Sequence, residues 1–75
     1  MMIYIKEIRG GKNSVTIQID GSLEPESLTI LKEICQRHLV TNERVTLNLE
    51  KLLHICREGM NYLDEIKERV IIFGA

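Results

Sequence analysis

SVTIQIDGSLEPESLTILKEICQRHL, residues 14–39, carries the two periodicities that decide the fold. From Ser14 to Asp20, Val15, Ile17 and Ile19 alternate with Thr16, Gln18 and Asp20. A period of two is what a strand with one buried face requires. Asp20-Gly21-Ser22 then breaks the alternation, and Leu23-Glu24-Pro25-Glu26 opens a helix. Proline suits the first helical turn, where its missing N–H has no partner to lose, and acids there meet the positive end of the helix dipole. Leu28, Leu31, Cys35 and Leu39 recur at spacings of three and four, and Ile30 and Ile34 widen the stripe. The spacing predicts an amphipathic helix over 25–39.

Upstream, MIYIKEI (2–8) sets Ile3 and Ile5 against Tyr4 and Lys6, and Arg9-Gly10-Gly11-Lys12-Asn13 is turn chemistry. Two alternating runs around such a turn predict a β-hairpin, with glycines taking positive φ. Downstream, Thr41-Asn42-Glu43 is a short loop, and Val45, Leu47 and Leu49 alternate inward from a third strand. Glu50 to Ile55 is read as a connection with apolar contacts at Leu52, Leu53 and Ile55. A second helix is expected over 57–68, burying Met60, Leu63 and Ile66, and Val70-Ile71-Ile72-Phe73 forms a last strand before Gly74-Ala75. The expected order is β-β-α-β-α-β. Right-handed crossovers put both helices on one face, giving a small two-layer α/β sheet with a polar back. VIIF is apolar on both faces. It lies either between two strands or at an edge that pairs with another chain, so a homodimer through Val70–Phe73 is expected.

Seventy-five residues form one domain, 1–75. A chain of this size buries only ~60% of the surface its unfolded form exposes, which leaves little room for both a core and a deep cavity. It is 44% hydrophobic and 28% charged, with a net charge of −1 and a pI near 6.1. That balance argues against nucleic acid and against a polybasic membrane anchor. No apolar run approaches the ~20 residues that span a bilayer, and MMIYIKEIRGG lacks the apolar core of a signal peptide. Cys35 and Cys56 stand alone, without a CxxC pair. They read as reduced thiols, and the expected location is cytoplasmic.

The segment HICREGMNYL, residues 54–63, holds most of the remaining chemistry. Cys56 beside Arg57 at a helix start, with His54 nearby, is a setting that can activate a thiol. A nucleophile needs hydrogen-bond contact with its base, which this spacing does not ensure. Cys35-x-x-His38 is one helical turn and could hold a metal, but a structural zinc needs four ligands, and His54-x-Cys56 is a poor second pair. His38 near a helix C-terminus is explained by the dipole. Gly10-Gly11 precedes a strand rather than a helix and is not a phosphate loop. No catalytic residue, metal or cofactor is assigned.

Three segments resemble one known family. Asp20-Gly21-Ser22-Leu23-Glu24 is similar to the G-x-L-D after the second strand of STAS domains, the anti-sigma-factor-antagonist fold. Val45-Thr46-Leu47-Asn48-Leu49-Glu50 is similar to their third strand, apolar-x-apolar-D-L-S, and His54-Ile55-Cys56-Arg57-Glu58-Gly59-Met60 falls on F-I-D-S-S-G-L. The resemblance covers nearly the whole chain and the family's first four strands and two helices. The family's C-terminal elements have no counterpart here.

The resemblance implies a non-catalytic bacterial domain that regulates transcription by docking on an anti-sigma factor or regulatory kinase. In the family, that kinase phosphorylates the second serine of D-S-S-G, which ends binding. Here that position is Glu58, the first serine is Arg57, the preceding acid is Cys56, and the third-strand acid is Asn48. Phosphoserine carries about −1.5 to −2 charge, whereas glutamate carries a fixed single charge. No Ser or Thr occurs from Asn48 to Ala75. Docking without a phosphorylation switch is therefore expected, with partner-binding residues Asp20, Ser22, Arg57, Glu58, Asn61 and Tyr62. The alternative is a STAS-like subunit of a lipid or solute transport complex.

Overall fold

A computed structural model describes residues 3–41 and 43–74. Met1, Met2, Asn42 and Ala75 lie outside the described residues, and with them the Met2 start of the first strand, the centre of the 41–43 loop and the last residue of the 74–75 end. Among the described residues the chain is a small α/β fold: five strands in one mixed sheet, and two helices.

β1 (Ile3–Arg9) runs antiparallel to β2 (Ser14–Leu23), with Ile5 opposite Ile19. The turn between them follows the expected hairpin, but its left-handed residue is Asn13, at φ 56°, rather than Gly10 or Gly11. α1 (Pro25–Val40) follows β2 directly, and the Glu24 backbone N–H donates to Ser27 Oγ at 3.4 Å. β3 (Arg44–Asn48) lies parallel to β2, with Val45 beside Val15 and Leu47 beside Ile17.

The segment read as a connection is a strand. β4 (Leu52–Ile55) pairs in parallel with the far end of β2. The element order is therefore β-β-α-β-β-α-β, not β-β-α-β-α-β. Two local features produce the change. Leu49-Glu50-Lys51 turns tightly, with the Leu52 N–H donating to Leu49 O at 3.1 Å, so the chain re-enters the sheet after three residues. Gly21, at φ 99°, sits where β2 passes from pairing with β3 to pairing with β4. That backbone conformation is open to glycine without a Cβ clash. Asp20-Gly21-Ser22 consequently bends β2 instead of ending it. Leu53 is the extra residue of the accompanying bulge, since Leu52 faces Gly21 and His54 faces Ser22.

α2 (Arg57–Ile66) then crosses to β5 (Ile71–Phe73), which pairs in parallel with β3 at the sheet edge. Strand order is β1-β2-β3-β5, with β4 beside the end of β2. The helices contact each other and share one core, centred on Ile17, Ile19, Leu23, Leu31 and Leu47. The opposite sheet face carries half-buried Thr16, Gln18, Thr46 and Asn48. No helix among the described residues is long and apolar enough to cross a membrane.

α2 is rotated from the expected setting. Gly59 and Ile66 are buried, Tyr62 and Leu63 are half-buried, and Met60 is 60% exposed. The reason is close approach. A Cβ on Gly59 would lie 2.9 Å from Ile55 Cγ1 and 3.1 Å from Leu23 Cδ2, so the bare face of the glycine turns to the sheet. Ile30, expected to widen the α1 stripe, is also exposed. Val70 is buried just before β5, whereas Ile71 and Phe73 are exposed beside Thr46 and Asn48.

Candidate functional site

The pairing of β4 with β2 joins two segments that lie far apart in the chain, Gly21 meeting Leu52. Ser22 sits beside His54, Leu23 sits beside Ile55, and the Cys56 N–H donates to Leu23 O at 2.9 Å. α2 springs from that ledge. Cys56 is its N-cap, in extended conformation, and its sulphur accepts from the Gly59 N–H at 3.3 Å. The Met60 N–H returns to Cys56 O at 3.0 Å. A thiol here satisfies one of the free N–H groups that every helix start presents, as a weaker stand-in for Ser or Asp. The hydrogen bond of the sulphur is to Gly59 rather than to His54. Asn48, at the other position where the resemblance expects an acid, accepts from the Glu50 N–H at 3.0 Å and holds the turn after β3.

The six nominated residues divide by place. Arg57, Glu58 and Asn61 are exposed on the first turns of α2. Ser22 belongs to the ledge beneath them but is only 3% exposed. Asp20 lies on the polar side of the sheet, where it accepts from Gln18 Nε2 at 3.0 Å and pairs with Tyr4 of β1. Tyr62 faces α1 and is half-buried, with Lys32 Nζ 5.3 Å from the ring centroid. Burial, with Cys35 adding to it, pushes the Tyr62 hydroxyl upward, and burial likewise raises the Cys35 thiol. The structure thus brings Arg57, Glu58 and Asn61 together above Ser22, and sets Asp20 and Tyr62 on other faces.

Two features of this end of the molecule depart from the sequence reading. Leu53, expected among the apolar contacts of residues 50–55, is pushed out by the bulge and is 85% exposed. A groove of about 450 Å³ opens between α2 and the ends of β3, β4 and β5, lined by Leu49, Leu52, Ile55, Met60, Leu63 and Ile72. At its rim Lys67 Nζ meets Asp64 Oδ1 at 2.7 Å. The groove is present in the sequence only as apolar residues, and Leu52 and Met60 read there as contacts and core, where the same residue types belong. Chemically the surface offers an apolar trough edged by the Asp64 carboxylate and the Lys67 ammonium, with Arg57, Glu58 and Asn61 exposed elsewhere on the first turns of α2. That composition resembles the apolar centre and polar rim of protein interfaces.

No family model matches the chain, and no curated protein matches it.

Proposed function

We propose that this protein is a non-catalytic interaction domain that docks on a protein partner through the β4–α2 junction. The observation that carries the reading is the β2–β4 pairing. It unites the two segments, places Leu53 exposed on β4, and starts from them the helix on which Arg57, Glu58 and Asn61 are exposed and Met60 lines the groove. An apolar groove with a polar rim is a usual mark of a docking surface. The resemblance to STAS domains supplies the partner class, an anti-sigma factor or regulatory kinase. Glu58 stands where that family is phosphorylated, at a helix start that favours an anion, so its charge is permanent and docking does not wait on a kinase.

The test is affinity capture with the wild-type chain, Arg57→Glu and Met60→Asp, each variant first shown by thermal melt to fold. The reading expects a regulatory kinase or anti-sigma factor to be captured by wild type and lost by both variants. Capture of the same partner by all three chains would place docking elsewhere. Capture of a transporter component would move the reading to a transport complex.

Self-association through β5 belongs to the same proposal. β5 is an edge strand, and Ile71 and Phe73 are exposed on it, while Val70, expected in the pairing surface, is buried in the core just before the strand. Light scattering at tens of micromolar should give the mass of a dimer, with Phe73→Lys returning it to a monomer. A monomeric wild-type mass would remove this part.

A further inference from the structure

His38 is 5% exposed, yet both of its ring nitrogens face carboxylates. Nε2 lies 2.6 Å from Glu7 Oε1 of β1, and Nδ1 lies 2.9 Å from Glu43 Oε2 in the loop after α1. A neutral imidazole has one N–H and one lone pair, whereas an ionised carboxylate only accepts. Both contacts are hydrogen bonds only if the ring carries two protons. The surrounding charges agree with that state. Arg9 Nη1 is 2.6 Å from Glu43 Oε1, Thr41 Oγ1 is 2.8 Å from Glu43 Oε2, and Arg37 Nη2 is 3.8 Å from Glu7 Oε2. These groups come from β1, α1 and the α1–β3 loop, the elements packed around the ring.

We propose that His38 is held as an imidazolium ion and is the central charge of a latch that fastens the end of β1 and the loop at Glu43 to α1. β1 has need of such a fastening. It is the outermost strand, and Lys6 through Arg9 are all exposed, so no apolar side chain anchors that half to the core. Besides its ladder to β2, the described ties of this half are Glu7 to His38, with Arg37 farther off at 3.8 Å, and Arg9 to Glu43.

The direction of the pH response follows. Hydrogen bonding to Glu7, then to Glu43, raises the His38 value above its ordinary 6.5. The folded chain therefore holds the proton more tightly than the unfolded chain. The stabilisation is complete below the unfolded value and is lost as pH rises through the folded one. Loss of the proton to solvent leaves one carboxylate facing a lone pair, and the end of β1 is released.

The test uses His54→Gln, in which His38 is the single histidine of the two in the chain. Ring ¹⁵N and Hε1 shifts are followed by NMR across neutral and alkaline pH, with the same chain in concentrated urea as reference. Both nitrogens should be protonated at neutral pH, and the midpoint should exceed the urea value. Glu7→Gln and Glu43→Gln should each lower it. Amide exchange of Ile8 and Gly10, whose N–H groups face β2, should accelerate as pH passes that midpoint once corrected for its intrinsic pH dependence. Each unit between the two midpoints corresponds to about a tenfold change in the opening constant. A neutral tautomer at neutral pH, or a midpoint equal to that in urea, overturns the imidazolium. Unchanged protection of β1 through the midpoint overturns the latch. Both readings come from chains with Glu7 and Glu43 intact, so poor folding of a Glu→Gln variant does not shield the proposal.

Discussion

Replacing Gly59 by alanine sets two effects of opposite sign against each other. Alanine is favoured over glycine inside a helix by about 1 kcal/mol. Gly59 lies in the first turn of α2, where only part of that gain is realised. Against it stands the new methyl, 2.9 Å from Ile55 Cγ1, 3.1 Å from Leu23 Cδ2 and 3.3 Å from Ile55 Cδ1. Leu23 is fully buried and cannot swing away, and Ile55 Cγ1 sits close to its own backbone. Overpacking of this kind costs about 1–3 kcal/mol. The net expectation is a loss of about 1 kcal/mol, which lowers the melting temperature of a domain this small by about 4–8 °C. Far-UV circular dichroism melts with matching urea titrations give the answer. Gly11→Ala is the control, because nothing lies within 4 Å of a Cβ there. It should be neutral, or gain about 0.4–1 kcal/mol by restricting the unfolded chain. A Gly59→Ala chain that melts at or above wild type would refute the close packing of α2 on β2 and β4.

Cys56→Ser should raise stability by about 0.5–1 kcal/mol, since a hydroxyl caps a helix better than a thiol; an unchanged urea midpoint would count against the Cys56–Gly59 bond. Leu31→Ala removes a fully buried side chain at the centre of the core. It should cost about 2–5 kcal/mol, a large share of the stability of so short a chain, seen as a lost or much earlier unfolding transition. Acid should weaken the fold through Glu43. Its hydrogen bond to His38, then those to Thr41 and Arg9, lowers its carboxyl from 4.5 to about 2. That contribution is present above 4.5, fades as pH falls towards about 2, and should be missing from the urea midpoints of Glu43→Gln over the same range.

The sequence shows its structure where burial is one-sided. Val15, Ile17 and Ile19, like Val45, Leu47 and Leu49, face the core in the alternation that named their strands. Pro25 marks the start of α1 to the residue. β4 was hidden because LLHI has no alternation. A four-residue strand on a bulge is set by its partner β2, not by its own period. Helical spacing points Met60 inward, but spacing cannot fix the rotation of α2 when Gly59 supplies the contact face. At the candidate site, the exposure of Arg57, Glu58 and Asn61 was legible from their chemistry. The burial of Ser22 was not, since it depends on β2 continuing past Gly21. His38 looked like a residue placed by the helix dipole, because its partners Glu7 and Glu43 come from outside its helix.

The proposed docking at the β4–α2 junction needs no phosphate switch. The most direct test is the affinity of the captured partner for wild type, Met60→Asp and Glu58→Ser, each before and after incubation with ATP and that partner. Wild type should bind equally in both conditions. Met60→Asp should bind about 30-fold more weakly, as loss of a central contact of ~2 kcal/mol requires. Glu58→Ser should become the one chain whose binding ATP abolishes. Undiminished binding by Met60→Asp, or ATP-dependent release of wild type, would contradict the account.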